Sequence, residues 1–335
     1  MVKSEYTMED AKRQLLSIKK ISTYLVHTLV PAWHFTERQA ALLKKLLPKA
    51  EVRICGSAEE FVGSLHDTDA VLTWTFQQEW FAGANRLKIL STPAAGKDYF
   101  TVVPPSGLWM MNGQFHGEII AESVVGMLLG MERGILPAMT EYASLPWPRR
   151  ELAPRMRVLR GSTAMILGFG HIGRWIGKML KPFGMRILGV SRHRDAERPN
   201  WFRKGDLCLD AEQMDAYLPE TDHLILALPG TTGTTNMVDA RRLALLKAGA
   251  TVTNIGRGNA IEAAALTAAL ENGHLAGAFL DVFPEEPLPE TSPLMHVRNL
   301  WRLPHACAIA DNYLDLYVAD FVRQLKAAFS GHAGA

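Results

Sequence analysis

The chain has 335 residues, 48% of them hydrophobic, which is enough to bury two ordinary cores and sets a prior of two domains. Its 36 basic and 34 acidic side chains are spread along the sequence and leave a formal net charge of +2, so no electrostatic footprint for nucleic acid is present. Cys55, Cys208 and Cys307 lie far apart without a paired CxxC, which argues against a disulfide framework or a zinc site, assigns no metal, and fits a reducing, cytoplasmic setting.

Residues 1–20 mix charges throughout and lack the apolar core of a secretory signal. Strand-like runs at 21–26, 52–55, 70–74, 88–92 and 108–112 then alternate with helical segments such as 37–47, the pattern of a parallel sheet with helices on its faces. An apolar helix over about 119–136 follows. Glu122 interrupts its most apolar stretch, so no membrane span is expected. After the Pro/Trp/Arg-rich stretch 145–150 the alternation restarts, with strands at 163–167, 185–190, 224–228, 251–254, 277–280 and 300–303 and a final amphipathic helix over about 312–329. The expected fold class is α/β: two doubly wound, Rossmann-like parallel-sheet domains with an active-site cleft between them. Spacing alone leaves open which domain the last helix joins.

The strand at 163–167 runs into Gly168-Phe169-Gly170-His171-Ile172-Gly173, after which Ile172, Trp175, Ile176, Met179 and Leu180 recur at helical spacing. In that order Gly168 permits a tight turn, Gly170 lets the backbone approach a pyrophosphate, and Gly173 lets the helix pack close to the strand. The amides at the helix start, at His171 and Ile172, complete a phosphate site. The following strand ends in Ser191 and Arg192, with His193 and Arg194 behind them. NAD sites usually carry an acidic residue about 20 residues past the glycines for the ribose 2′-hydroxyl, whereas a guanidinium suits a 2′-phosphate. NADP is therefore expected as the preferred coenzyme, with NAD possible, read by Arg192 with Arg194 in support.

Three further signals fall where strands of an open parallel sheet should end, the edge at which such sheets bind ligands. They are Asn254-Ile255-Gly256-Arg257-Gly258, Asp281-Val282-Phe283-Pro284-Glu285-Glu286-Pro287, and Pro304-His305-Ala306. Reducing a 2-keto acid needs a cation for the substrate carboxylate, an acid that protonates the carbonyl oxygen as hydride arrives, and a group that keeps this acid charged. Arg257, His305 and Glu286 match those roles, because a carboxylate beside an imidazole favours the protonated ring.

With these motifs in order, the chain resembles the D-isomer-specific 2-hydroxyacid dehydrogenases from about Lys88 to Cys307. The resemblance implies that Arg257 binds the substrate carboxylate, that His305 is the acid/base and Glu286 its partner, and that Asp281 meets the nicotinamide carboxamide. It implies that Ala95 and Gly96, in Ala94-Ala95-Gly96-Lys97-Asp98, grip the substrate carboxylate through backbone amides. It further implies that Pro229 and Thr234, in the loop from Leu228 to Thr235, lie beside the coenzyme. Family members pair a substrate domain made from both chain ends, here 1–118 with 305–335, with a dinucleotide-binding domain, here 119–304, and they form homodimers.

Ser123 stands where many relatives carry histidine, and Ala306-Cys307-Ala308 departs from the commoner small and hydroxyl residues. The Ser191-Arg192 pair is similar to that of NADPH-using glyoxylate and hydroxypyruvate reductases, which implies a small 2-keto acid as substrate and a D-2-hydroxy acid as product. Two other readings stay open at this stage. One is a phosphite-type dehydrogenase of the same fold, a formate enzyme being disfavoured because those relatives carry glutamine at the position of Glu286. The other is a non-catalytic NAD(P)-sensing binding protein, since fold alone never fixes function.

Overall fold

The computed structural model describes residues 18–96, 99–192 and 198–330. Lys97 and Asp98 of the expected carboxylate loop, and His193 and Arg194 of the expected coenzyme loop, lie outside the described residues. The chain divides into two compact units, one running to His116 and resuming at Ile309, the other from Gly117 to Ala308. Residues 305–308 therefore group with the second unit.

The first unit is a five-stranded parallel sheet of β1 (Lys20–Tyr24), β2 (Glu51–Ile54), β3 (Ala70–Thr73), β4 (Ile89–Thr92) and β5 (Trp109–Asn112), in the order β2-β1-β3-β4-β5. Every residue of β3 and β4 is buried, as inner strands covered on both faces require. The helix Glu37–Leu46 opens with a capping box between Thr36 and Gln39, and Gln39 Nε2 reaches Asp315 Oδ1 at 2.8 Å on the final helix, Tyr313–Ser330. On that helix Tyr317 donates to Ser91 Oγ of β4 at 2.7 Å, both groups buried. The last helix thus belongs to the first sheet, although the whole second unit intervenes in sequence.

The second unit is a seven-stranded parallel sheet of β6 (Thr163–Leu167), β7 (Arg186–Val190), β8 (Leu207–Leu209), β9 (His223–Leu226), β10 (Ala250–Asn254), β11 (Leu275–Leu280) and β12 (Leu300–Arg302). Its order is β12-β11-β10-β9-β6-β7-β8. The chain builds outward from β6 through β7 to β8, then returns to β9 on the other flank of β6. The space beyond the strand ends at β6 and β9 is therefore the switch point at which doubly wound sheets hold dinucleotides. The long helix expected over 119–136 is His116–Glu132 followed by a separate short helix, Ile135–Met139. Gly134 breaks it, adopting a left-handed φ of +68° that a residue with a Cβ disfavours. Among the described residues no helix is long and apolar enough to cross a membrane.

At the opposite edge of this sheet His223 is buried at the start of β9, with Nδ1 2.8 Å from Thr251 Oγ1. Glu132 Oε1 is 3.9 Å away and is itself bonded by Arg157. Burial holds the His223 imidazole down at about 4 against its ordinary 6.5; Asp222 opposes this while Arg157 and Lys247 add to it. The contact with Glu132 is thus not an ion pair at neutral pH. A depressed histidine is neutral in the folded chain while the unfolded chain takes the proton below 6.5, so its contribution to stability is complete above 6.5 and falls as pH drops toward 4. Between pH 7.5 and pH 5 it should remove about 2 kcal/mol. His223→Gln, neutral throughout, is expected to lessen the loss of stability on acidification by about that amount; denaturant unfolding of both proteins at the two pH values measures it.

Candidate active site

All the strand-end signals read from the sequence lie on the carboxyl edge of the second sheet. At the end of β6, Gly168 has φ +87°, and a Cβ there would meet the Ala227 carbonyl oxygen at 2.4 Å. A Cβ on Gly173 would meet the Gly168 carbonyl oxygen, also at 2.4 Å, so the helix His171–Leu180 seats directly on the turn. Gly170 differs from both. It caps that helix without a side-chain hydrogen bond, and a Cβ there would meet nothing within 4 Å. Two glycines serve close packing, then, while the third leaves open space over the amino end of a helix, which is the cradle a pyrophosphate needs. Phe169 is buried, its ring covering Gly189 of β7 and lying 5.6 Å from the ring of Phe202.

At the end of β7, Ser191 donates its amide to Leu209 at 3.0 Å and Arg192 is exposed. At the end of β9, Pro229 is exposed, while Thr234 turns its hydroxyl inward to the Pro229 carbonyl at 2.7 Å. Thr234 therefore shapes the loop around Thr231, and its hydroxyl is engaged there.

Beyond β10, Asn254 builds the turn that presents Arg257. Its Oδ1 accepts from the Gly256 amide at 3.1 Å and its Nδ2 donates to the Arg257 carbonyl at 3.0 Å. The glycines flanking Arg257 are demanded by neighbouring backbone: a Cβ on Gly256 would lie 2.5 Å from Leu228, and one on Gly258 would lie 1.9 Å from the carbonyl carbon of Phe283. The loop carrying Arg257 is in this way wedged between the β9 loop and the turn that leads to Glu286. An Asn two residues ahead of a glycine at a strand end is the sequence signal for such a side-chain-closed turn.

His305 Nδ1 and Glu286 Oε2 are 2.8 Å apart, and the other carboxylate oxygen of Glu286 accepts the Phe283 amide at 2.9 Å. The side chains are 53% and 36% exposed, so the ring is open to a small molecule. An ionised carboxylate accepts only, which puts the proton on Nδ1 and leaves Nε2 for chemistry. A recess of about 570 Å³, walled by Phe283, Pro287, Leu288, Met295 and Leu303, adjoins the pair.

Asp281 is 3% exposed, and Oδ1 of its carboxylate accepts from the amides of Ala306 and Cys307 at 2.7 and 3.1 Å, with Oδ2 3.2 Å from Cys307. Burial pushes its carboxyl above the usual range while those amides pull it back. This bracing of the segment after His305 was not legible in the sequence. Cys307 is buried, with burial and Asp281 pushing its thiol up, so it is packed and unreactive in character.

In the first unit, Ala95 and Gly96 follow β4. The loop is held by Asn112 at the end of β5, whose Nδ2 donates to the Gly96 carbonyl at 2.9 Å. Of the two aromatic residues after β3, Phe76 is a core residue packed on Phe61, and Trp74 donates its indole N–H to the Trp33 carbonyl at 2.9 Å.

A phosphate cradle at a switch point, with an imidazole–carboxylate pair at neighbouring strand ends of the same sheet, defines a nicotinamide-dependent oxidoreductase. Comparison with known proteins narrows this. The family model for D-isomer specific 2-hydroxyacid dehydrogenase, NAD binding domain, matches residues 125–307. A glyoxylate reductase of Thermococcus gammatolerans is 33% identical over 258 residues, covering 74% of this chain and 75% of the relative. A glyoxylate/hydroxypyruvate reductase B of Pectobacterium carotovorum is 30% identical and covers 96% of each chain. The fold is shared with a D-isomer specific 2-hydroxyacid dehydrogenase from Xanthobacter autotrophicus, solved with NADPH and MES, at a TM-score of 0.70 and 24% identity over 95% of this chain and 96% of that one. The chain belongs to the D-isomer specific 2-hydroxyacid dehydrogenase family. It is an NAD(P)-dependent 2-hydroxyacid dehydrogenase, in the reverse direction a 2-keto acid reductase.

Proposed function

We propose that this enzyme reduces a small 2-keto acid of the glyoxylate or hydroxypyruvate kind to a D-2-hydroxy acid and prefers NADPH. The observation that carries the reading is the 2.8 Å pair of His305 and Glu286 on the same carboxyl edge of the second sheet as the glycine cradle. A nicotinamide coenzyme held by this chain would supply the hydride. His305 donates the proton from Nε2 to the carbonyl oxygen, with Glu286 holding Nδ1 and balancing the charge of the ring. Arg257, presented by Asn254 and its two glycines, binds the substrate carboxylate. Gly168, Gly170, His171, Ile172 and Gly173 would hold the pyrophosphate. Asp281 would meet the nicotinamide carboxamide, and Pro229 with the Thr234-shaped loop would line the coenzyme.

Support for NADPH comes from Ser191 and Arg192 standing where an acidic residue would meet a 2′-hydroxyl. Support for the substrate class comes from the two reductases above. The test is coenzyme oxidation by the purified chain with glyoxylate, hydroxypyruvate and larger 2-keto acids, using NADPH and NADH in parallel, with phosphite oxidation as the competing reaction. Arg192→Asp is expected to raise the KM for NADPH by about tenfold or more, since a bond to a charged group contributes about 1.5–3 kcal/mol, while NADH turnover persists. Faster turnover of NADH by the wild type reverses the coenzyme assignment, and phosphite oxidation without 2-keto acid reduction reverses the substrate.

A further inference from the structure

His305 has a φ of +53°, one of two non-glycine residues among those described with a left-handed backbone. A side chain is rarely held in that region unless its surroundings over-determine it. Here the surroundings are specific. The His305 amide donates to the Asp281 carbonyl at 2.8 Å, and the next two amides, of Ala306 and Cys307, donate to the Asp281 carboxylate. The segment is then fixed from its other side: Ser123, on the helix His116–Glu132, donates its hydroxyl to the Cys307 carbonyl at 3.1 Å. Cys307 is 1% exposed, so that carbonyl has no water to turn to if the hydroxyl is removed.

We propose that Ser123 and Asp281 are positioning residues for His305: together they clamp Cys307 from both sides and so keep the preceding histidine in the strained conformation that aims its ring at Glu286. Both act through backbone and neither has to touch the keto acid. With the Ser123 bond lost, the Cys307 peptide is free to rotate toward another donor, the left-handed turn relaxes, and the imidazole leaves the line to Glu286 Oε2. Misplacement of a catalytic group by an ångström costs orders of magnitude in rate while binding elsewhere is kept. The effect is therefore expected in kcat and not in coenzyme affinity, because Ser123 lies outside the glycine cradle.

The test is Ser123→Ala and Ser123→Thr in the full chain, with a 2-keto acid that the wild type reduces. In Ser123→Ala, kcat should fall about tenfold with the dissociation constant for NADPH unchanged. Ser123→Thr, which keeps the hydroxyl, should restore most of the rate. In a His305→Ala background the serine substitution should cost nothing further, since no imidazole is left to position. If the alanine variant does not fold, Ser123→Cys, similar in shape and a weak donor, carries the same expectation. Wild-type kcat in Ser123→Ala overturns the proposal, and so does an equal further loss in the His305→Ala background, which a merely structural role would give. The inference rests on His305 as the acid of the proposed reaction. Failure of that reading is seen separately, as a His305→Ala variant with wild-type kcat.

Discussion

His305→Ala is expected to lower kcat for 2-keto acid reduction by about 100-fold or more, the range found when a positioned general acid is removed. Coenzyme affinity should stay unchanged, because the pyrophosphate cradle is built at the ends of β6 and the helix after it, from Gly168 to Gly173. Glu286→Gln should cost less. It retains an oxygen for the Phe283 amide, which now bonds Glu286 Oε1 at 2.9 Å, so the turn survives while the charge facing Nδ1 is lost. The rate should then fall because an uncharged partner no longer stabilises the imidazolium from which the proton is given. Steady-state kcat for both variants, beside coenzyme dissociation constants from fluorescence titration, checks the pair. An unchanged kcat in His305→Ala removes the residue from the mechanism.

Most of the second unit was legible in the sequence because its signals are local. A buried five-residue strand, three glycines and a helix at 3.6-residue spacing can be read one after another, and β6 with the helix His171–Leu180 stands where that reading placed it. The same locality explains the misses. Strand β8, Leu207–Leu209, is three residues long and offers no period to count. The helix expected to run to residue 136 ends at Glu132, because Gly134, which periodicity tolerates, takes a left-handed conformation. The bonds that aim the catalytic groups join residues distant in sequence. Ser123 meets Cys307 across 184 positions, and Asp281 meets Ala306 across 25. A pattern reader sees a serine on a helix and an aspartate after a strand, and only the sheet order brings them to one turn. For the same reason Asn254 was visible as a letter in a motif while its two bonds around Gly256 and Arg257 were not.

Two glycines of the second unit should respond to the same substitution in opposite ways, and the contrast separates what the fold requires from what the ligand requires. At Gly258 a Cβ would sit 1.9 Å from the carbonyl carbon of Phe283 and 2.3 Å from the nitrogen of Pro284. Both neighbours are backbone, and the segment they belong to leads directly to Glu286. No rotamer change relieves the conflict, so Gly258→Ala must push the loop bearing Arg257 away from the turn bearing Glu286. A loss of about 2 kcal/mol or more in stability is expected from overpacking of this kind, together with a raised KM for the 2-keto acid as Arg257 moves. At Gly170 a Cβ meets nothing within 4 Å and φ is −88°, so Gly170→Ala should fold as the wild type does. The methyl group would instead fill the space over the helix amides, and the dissociation constant for NADPH should rise by roughly tenfold or more, the equivalent of a 1.4 kcal/mol steric conflict. Denaturant unfolding and coenzyme titration of the two variants read the outcome. Wild-type coenzyme affinity in Gly170→Ala would mean that the pyrophosphate does not lie over this helix, and wild-type stability in Gly258→Ala would mean that the two loops are not packed as described.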